Sequence, residues 1–230
     1  MSVSVSDLAD SRAATDALLR TLSAGRGRPR AVAGFLRLAA GRSLAQATFR
    51  PRAVGQLTAL HSVLLAAAPD RAGVTWVTAS WTLGVLHLGL LERRDRLALA
   101  DVFTLLRGNL PALAAGAGRW SGLLAVALDF ADGRTARRRG TVSPFGEHAD
   151  SIADAAFWTW LALRHEPGRT VRLAAVGAWL LPVAAVTADA VRAGRMPERP
   201  RPVLLRPAAA LQLLLAVRHL RRRSPAAPAG

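Results

Sequence analysis

Four aspartates, Asp129, Asp132, Asp150 and Asp154, are spaced so that they could do chemistry together. The first two are three residues apart and the last two are four apart, so each pair falls on one face of a helix. Two such helices side by side would gather four carboxylates in one pocket, where their charges repel. Divalent cations such as magnesium relieve that repulsion, because they take carboxylate oxygens as ligands. Two cations held in this way form a clamp for displacements at phosphorus.

The residues around the acidic pairs suit a ligand that carries phosphate. Gly133 and Ala136 leave room on the first acidic face for a ligand to approach the backbone. A single aspartate would be explained as a helix cap or a surface charge, but neither explanation accounts for four at matched spacing. Carboxylates are also costly at membrane depth unless they face a cavity, and apolar stretches flank these four. Positive charge comes from a run of arginines, Arg134, Arg137, Arg138 and Arg139.

The whole pattern, D-x2-D-G-x2-A-R-x8-G-x3-D-x3-D, resembles the signature of the CDP-alcohol phosphatidyltransferase family at every defined position. A weaker likeness lies upstream, where residues 104–107 read T-L-L-R, as on the family helix before the signature. The asparagine that usually precedes that motif is absent, although Asp101 lies nearby. The residues that match the signature are Asp129, Asp132, Gly133, Ala136, Arg137, Gly146, Asp150 and Asp154.

The resemblance implies a transfer reaction and a metal. Family members move a phosphatidyl group, or a related phospho-alcohol, from a CDP-activated donor to a hydroxyl acceptor and release CMP. By position, Asp129, Asp132, Asp150 and Asp154 would hold two Mg²⁺ or Mn²⁺ ions, and Asp154 would also act as general base on the acceptor hydroxyl. With CDP-diacylglycerol as donor, the expected function is phospholipid biosynthesis.

The resemblance also assigns substrate contacts to four positions. Gly133 and Ala136 would make room for the cytidine half of the donor. Arg137 would steady the carboxylates or the diphosphate, and Gly146 would allow close packing at the start of the second acidic helix. A phosphorylated acceptor would need further cations, for which the candidates are Arg107, Arg138, Arg139, Arg195 and Arg199.

Two other functions remain open at this point. The substrates could be reversed, with a CDP-linked small alcohol as donor and a lipid hydroxyl as acceptor. The chain could also be a non-catalytic membrane scaffold that keeps the signature, although the intact set of aspartates argues against that.

The composition predicts an all-α polytopic membrane bundle. The chain is 51% hydrophobic with a mean hydropathy of +0.23, and strand alternation is missing. Since a bilayer crossing needs about 20 residues and lipid requires internally satisfied backbone, we expect six or seven spanning helices. The apolar stretches that would form them are residues 54–68, 74–91, 97–117, 120–131, 152–163, 171–191 and 203–217.

The distribution of apolar stretches divides the chain into three predicted segments. Residues 53–223 would form the membrane-embedded catalytic bundle, and residues 224–230 a disordered tail. Residues 1–52 would be cytoplasmic or interfacial; within them, residues 31–49 suit either a helix on an anionic membrane surface or a partly ordered basic tail. The family usually has three spanning helices after the aspartates, whereas this chain has room for only two. Residues 74–91, which precede the aspartates, could take the position of the missing last helix.

The charge of the chain predicts its orientation. The net charge is +16, and the chain contains arginine but no lysine. The arginines cluster between apolar stretches, which the positive-inside rule explains better than nucleic-acid binding does. The acidic helix ends would then face the cytoplasm, although the tail at residues 218–223 would fall outside, against the rule. Absence of cysteine excludes thiolate metal sites and cysteine nucleophiles.

The composition and the resemblance together predict the cellular setting. Arginine in place of lysine, with abundant alanine, indicates a GC-rich bacterial genome, so we expect an integral protein of a bacterial plasma membrane. The expected partners are CDP-diacylglycerol, a hydroxyl acceptor and membrane lipids, with no nucleic acid. A homodimer is also expected, because the family often forms one.

Overall fold

The computed structural model describes residues 11–26, 28–113, 118–195 and 206–221, and in them it contains nine α-helices and no strand. The predicted all-α class is therefore confirmed. The predicted tail at residues 224–230 lies outside the described residues. The helices are α1 (Ser11–Ala24), α2 (Pro29–Thr48), α3 (Pro51–Ala66), α4 (Arg71–His87), α5 (Leu99–Asn109), α6 (Ser121–Arg139), α7 (Pro144–His165), α8 (Arg169–Ala193) and α9 (Arg206–Arg221).

Two of the described helical segments are long and apolar enough to cross a membrane, Arg71–Leu91 and Arg169–Ala193. The second is α8, and only 6% of its apolar window is buried. Large side chains such as Leu173, Leu180 and Leu181 are exposed along it. An exposed apolar surface of this extent suits an apolar environment such as a bilayer. The total of six or seven spans stays a prediction.

The turn between α6 and α7 is built for a short connection. Helix α6 ends at Gly140, whose φ of +61° lies in the left-handed region that glycine adopts most easily. Helix α7 begins after Ser143, whose hydroxyl accepts a hydrogen bond from the Gly146 N–H at 3.1 Å, with Pro144 in the first turn. These signals place the two acidic helices next to each other in the chain.

Helix α5 lies between the acidic helices and packs against both α6 and α7. It starts where the Asp101 carboxylate accepts a hydrogen bond from the Ala98 N–H at 2.7 Å. The apolar stretch at residues 97–117 predicted a longer helix. The α-helix instead ends at Asn109 and continues as a 3₁₀ turn over Leu110–Ala112, because Pro111 has no N–H to continue the α-helical pattern.

The N-terminal helices pack onto this central group. One core cluster joins α2 and α3 to α5 and α7 through side chains such as Leu57, Leu105 and Phe145. A second cluster joins α6, α7, α8 and α9 around Phe157 and Trp158. Residues 29–48 form helix α2, which covers most of the helix predicted at residues 31–49.

Candidate active site

The four predicted aspartates converge on one buried arginine, Arg107 of α5. Helix α6 contributes Asp129 and Asp132, and α7 contributes Asp150 and Asp154. The Arg107 side chain has no exposed surface. Its Nη1 atom lies 2.5 Å from Asp129 Oδ1 and 3.4 Å from Asp132 Oδ2. One guanidinium therefore contacts both carboxylates of the first acidic helix.

The same guanidinium contacts the second acidic helix. Nη2 donates to the Asp150 carboxylate and, at 3.3 Å, to the Asp150 carbonyl oxygen. Nε lies 3.2 Å from Asp154 Oδ1. Arg107 thus joins α5, α6 and α7 at one point. Four carboxylates share this one guanidinium, so the cluster keeps an excess of negative charge.

Three of the carboxylates are arranged so that they could hold a divalent cation. Asp129, Asp132 and Asp150 each offer an oxygen, and these oxygens all lie within 4.8 Å of one another. Carboxylate oxygens are the ligands that Mg²⁺ and Mn²⁺ prefer. The Arg107 guanidinium lies among these same oxygens, which shows that the cluster stabilises positive charge there. The residues therefore fit the metal that the sequence predicts.

Asp154 has a different environment from the other three carboxylates. Its Oδ2 accepts a hydrogen bond from Gln212 Nε2 of α9 at 2.9 Å, while Oδ1 faces Arg107. Both oxygens are thus held in place, one from each side. This environment distinguishes Asp154 from the three carboxylates that share a potential cation site.

Sequence reasoning missed three parts of this cluster. Thr104 donates a hydrogen bond to Asp132 Oδ2 at 2.7 Å, and Gln212 orients Asp154. Arg107, a candidate for a phosphorylated acceptor, instead lies among the aspartates. The T-L-L-R motif contained the signal for Thr104 and Arg107, which are one turn apart on α5. A polar residue within an apolar helix was the only signal for Gln212.

Comparison with protein families decides the identity of this cluster. The family model described as CDP-alcohol phosphatidyltransferase matches residues 97–216, which is more than half of the chain and includes every residue of the cluster. The chain belongs to the CDP-alcohol phosphatidyltransferase family. Searches among curated proteins and among solved structures each found no match.

Membership gives the general activity. The family implies transfer of a phosphatidyl group in phospholipid synthesis, from a CDP-alcohol substrate to an alcohol acceptor. CDP-alcohol phosphatidyltransferases are membrane-associated, in agreement with the two apolar helices, and typically depend on a divalent metal. The predicted resemblance is therefore confirmed, and the chain is an enzyme of this general kind.

The remaining signature positions of the CDP-alcohol phosphatidyltransferases lie beside the cluster. The Arg137 side chain lies over Gly133, where an added Cβ would be 3.1 Å from Arg137 Nη1. Ala136 is half-buried on the same helix. Gly146 faces α5, and a Cβ there would lie 3.1 Å from Asp101 Oδ1. The substrate contacts assigned to these four signature residues stay predictions.

The acceptor cations predicted besides Arg107 fall in two groups. Arg138 and Arg139 are exposed in the last turn of α6, and Arg195 is exposed just after α8. Arg199 lies outside the described residues. Arg138 and Arg139 are thus on the same helix as Asp129 and Asp132, at its C-terminal end.

Proposed function

We propose that this chain transfers a phosphatidyl group from CDP-diacylglycerol to a hydroxyl acceptor and releases CMP. The observation that carries the proposal is the convergence of Asp129, Asp132 and Asp150, with oxygens within 4.8 Å of one another, on the two signature helices. A cluster of this kind suits a diphosphate substrate, because the donor and the departing CMP both carry negative charge that cations must neutralise.

The metal ligands in this proposal are Asp129, Asp132, Asp150 and Asp154. When two Mg²⁺ or Mn²⁺ ions are bound there, they supply the charge neutralisation that the donor diphosphate and leaving CMP require. Arg107 keeps the carboxylates gathered, since it contacts all four.

The proton transfer in this proposal belongs to Asp154. As the acceptor oxygen bonds to the donor phosphorus, the bond from phosphorus to the CMP oxygen breaks, and the hydroxyl proton moves to the Asp154 carboxylate. Gln212 and Arg107 hold that carboxylate from two sides, which orients it before the acceptor arrives. A positioned base of this kind contributes about 10²–10⁴-fold to the rate.

Substrate positioning falls to the other signature residues. Gly133 and Ala136 accommodate the cytidine half of the donor, and Arg137 contacts the diphosphate or steadies the carboxylates. Gly146 supports the site indirectly, because its missing side chain lets the start of α7 approach Asp101. Arg94 reinforces that approach, since its Nη1 lies 3.1 Å from the Asp101 carboxylate.

The proposed setting is a bacterial plasma membrane, with residues 53–223 forming a bundle of six or seven spanning helices. The arginines that end α6 and the turn at Gly140 would lie at the cytoplasmic face, where positive charge is favoured. Residues 1–52 would lie on that face, and the bundle would form a homodimer.

A donor-swap assay tests the proposal. The full chain in detergent with Mg²⁺ receives CDP-diacylglycerol and one of four acceptors: glycerol 3-phosphate, inositol phosphate, serine or phosphatidylglycerol. A second arm offers a CDP-linked small alcohol with diacylglycerol. We expect CMP in the first arm only. CMP in the second arm alone would show that the donor assignment is wrong, and no CMP in either arm would favour a scaffold.

A further inference from the structure

A cavity of about 550 Å³ lies between α4, α5 and α7. This volume falls within the range of about 300–1,000 Å³ that is typical of small-molecule sites. Large apolar side chains that line it remain exposed, with Leu83 of α4 at 44% and Ile152 of α7 at 40%. The cavity is therefore not filled by the side chains of its own walls, and it is open to an apolar ligand.

The polar side chains in the wall already have partners within the protein. Thr75 donates to the Arg71 carbonyl oxygen at 2.9 Å, and the Trp76 indole donates to the Gly108 carbonyl oxygen at 2.9 Å. The Ser80 hydroxyl accepts from Asn109 at 2.9 Å. The His87 ring, which also lines the cavity, bonds through Nδ1 to the Leu83 carbonyl oxygen at 2.7 Å. Since these groups are bonded within the protein, the wall presents a largely apolar surface. An apolar chain fits such a wall better than a polar ligand does.

The Thr104 side chain borders both the cavity and the acidic cluster. Thr104 of α5 lines the cavity, and its hydroxyl donates to Asp132 Oδ2 at 2.7 Å. On α7, Ala149 and Ala153 line the cavity, and each directly precedes an aspartate of the cluster. A molecule with its head group at the carboxylates could therefore have its hydrocarbon part in this cavity.

Helix α4 forms the wall that lies outside the family match at residues 97–216. The segment Arg71–Leu91 is long and apolar enough to cross a membrane, so this wall would stand at hydrocarbon depth. Contacts on two sides fix it: the Trp76 indole bonds to α5, and Gly84 lies against Leu57 of α3, where an added Cβ would be 2.9 Å from Leu57 Cδ2. The cavity is thus a feature of this chain in addition to its signature.

We propose that this cavity binds one acyl chain of the lipid substrate, with α4 as the wall that this chain has beyond the family match. The inference rests on the proposed function for the identity of the lipid, but the cavity can be tested by binding alone. Ala79 of α4 lines the cavity, and its neighbour Thr78 is exposed without lining it. Substitution of each by Phe gives a variant that narrows the cavity and a control that does not.

The test uses CDP-diacylglycerol with a photoreactive diazirine on one acyl chain, and cross-linked residues are mapped by mass spectrometry. We expect labelling of cavity residues on α4 and α7 that excess CDP-diacylglycerol prevents and phosphatidylcholine does not. Ala79→Phe should weaken the labelling at least about tenfold, since each methylene excluded from apolar contact weakens binding several-fold. Thr78→Phe should leave it unchanged.

Several outcomes would overturn the inference. These are labelling confined to exposed faces such as that of α8, equal competition by phosphatidylcholine, or undiminished labelling in a folded Ala79→Phe variant. If that variant does not fold, Ala79→Val replaces it in the same comparison. Specific cavity labelling in a wild-type chain that releases no CMP would support the lipid site and contradict the proposed reaction.

Discussion

Substitution of Asp154 by Asn is expected to lower kcat by about 10²–10⁴-fold, because the amide cannot take the proton of the acceptor hydroxyl. The amide keeps the shape of the carboxylate, and its oxygen can still accept the hydrogen bond that Gln212 Nε2 donates to Asp154 at 2.9 Å. We therefore expect metal-dependent binding of CDP-diacylglycerol to remain. The measurements are the rate of CMP release and the equilibrium binding of the donor in Mg²⁺.

Asp189→Asn is the matched control for this change. Asp189 lies on α8, and its side chain is 70% exposed. The same chemical change there should leave both turnover and donor binding unaltered. Near-normal turnover of Asp154→Asn would show that the assignment of the base is wrong, whereas loss of donor binding together with turnover would assign Asp154 to the metal site alone.

Substitution of Arg107 by Gln is expected to destabilise the metal-free protein by about 3–5 kcal/mol, as removal of one partner from a buried ion pair does. The four carboxylates would then face each other without the guanidinium that now contacts them all. Mg²⁺ should recover much of the lost stability, because it supplies positive charge to the same oxygens. Thermal unfolding in detergent, with EDTA and with Mg²⁺, measures both effects.

Arg192→Gln is the surface control for the Arg107 variant. The Arg192 side chain is 82% exposed and lies 3.9 Å from Asp189, a pair that water screens. It should change stability little in either condition. If Arg107→Gln unfolds at the wild-type temperature in EDTA, or gains no more from Mg²⁺ than the wild type does, Arg107 is not the counter-charge of the cluster.

Local spacing explains why the aspartates could be predicted. Asp129 and Asp132, and likewise Asp150 and Asp154, lie within one helical turn, so their shared faces follow from the helical repeat alone. The start of α7 was equally local, with Ser143 and Pro144 at positions that favour a helix N-terminus. The predicted all-helical class followed from the apolar stretches and from the absence of strand alternation.

Tertiary packing explains what could not be predicted. The contacts of Arg107 span 22 to 47 positions along the chain, and Gln212 lies 58 positions after Asp154. Such contacts depend on how α5 and α9 pack against α6 and α7, which no local spacing encodes. The early end of α5 at Asn109 had a local cause in Pro111, but the helix was predicted from hydropathy alone, which does not register a proline. The cavity depends on three helices at once and had no sequence signal.

The dependence of CMP release on metal is the decisive measurement for the function of the acidic cluster. The full chain is supplied with CDP-diacylglycerol and the acceptors above, first in Mg²⁺, then with excess EDTA, then with Mg²⁺ restored. An Asp129→Asn variant is assayed in parallel. We expect CMP release that stops with EDTA, returns with Mg²⁺ and is lost in the variant. CMP release that continues in EDTA, or that survives unchanged in the Asp129→Asn variant, would contradict it.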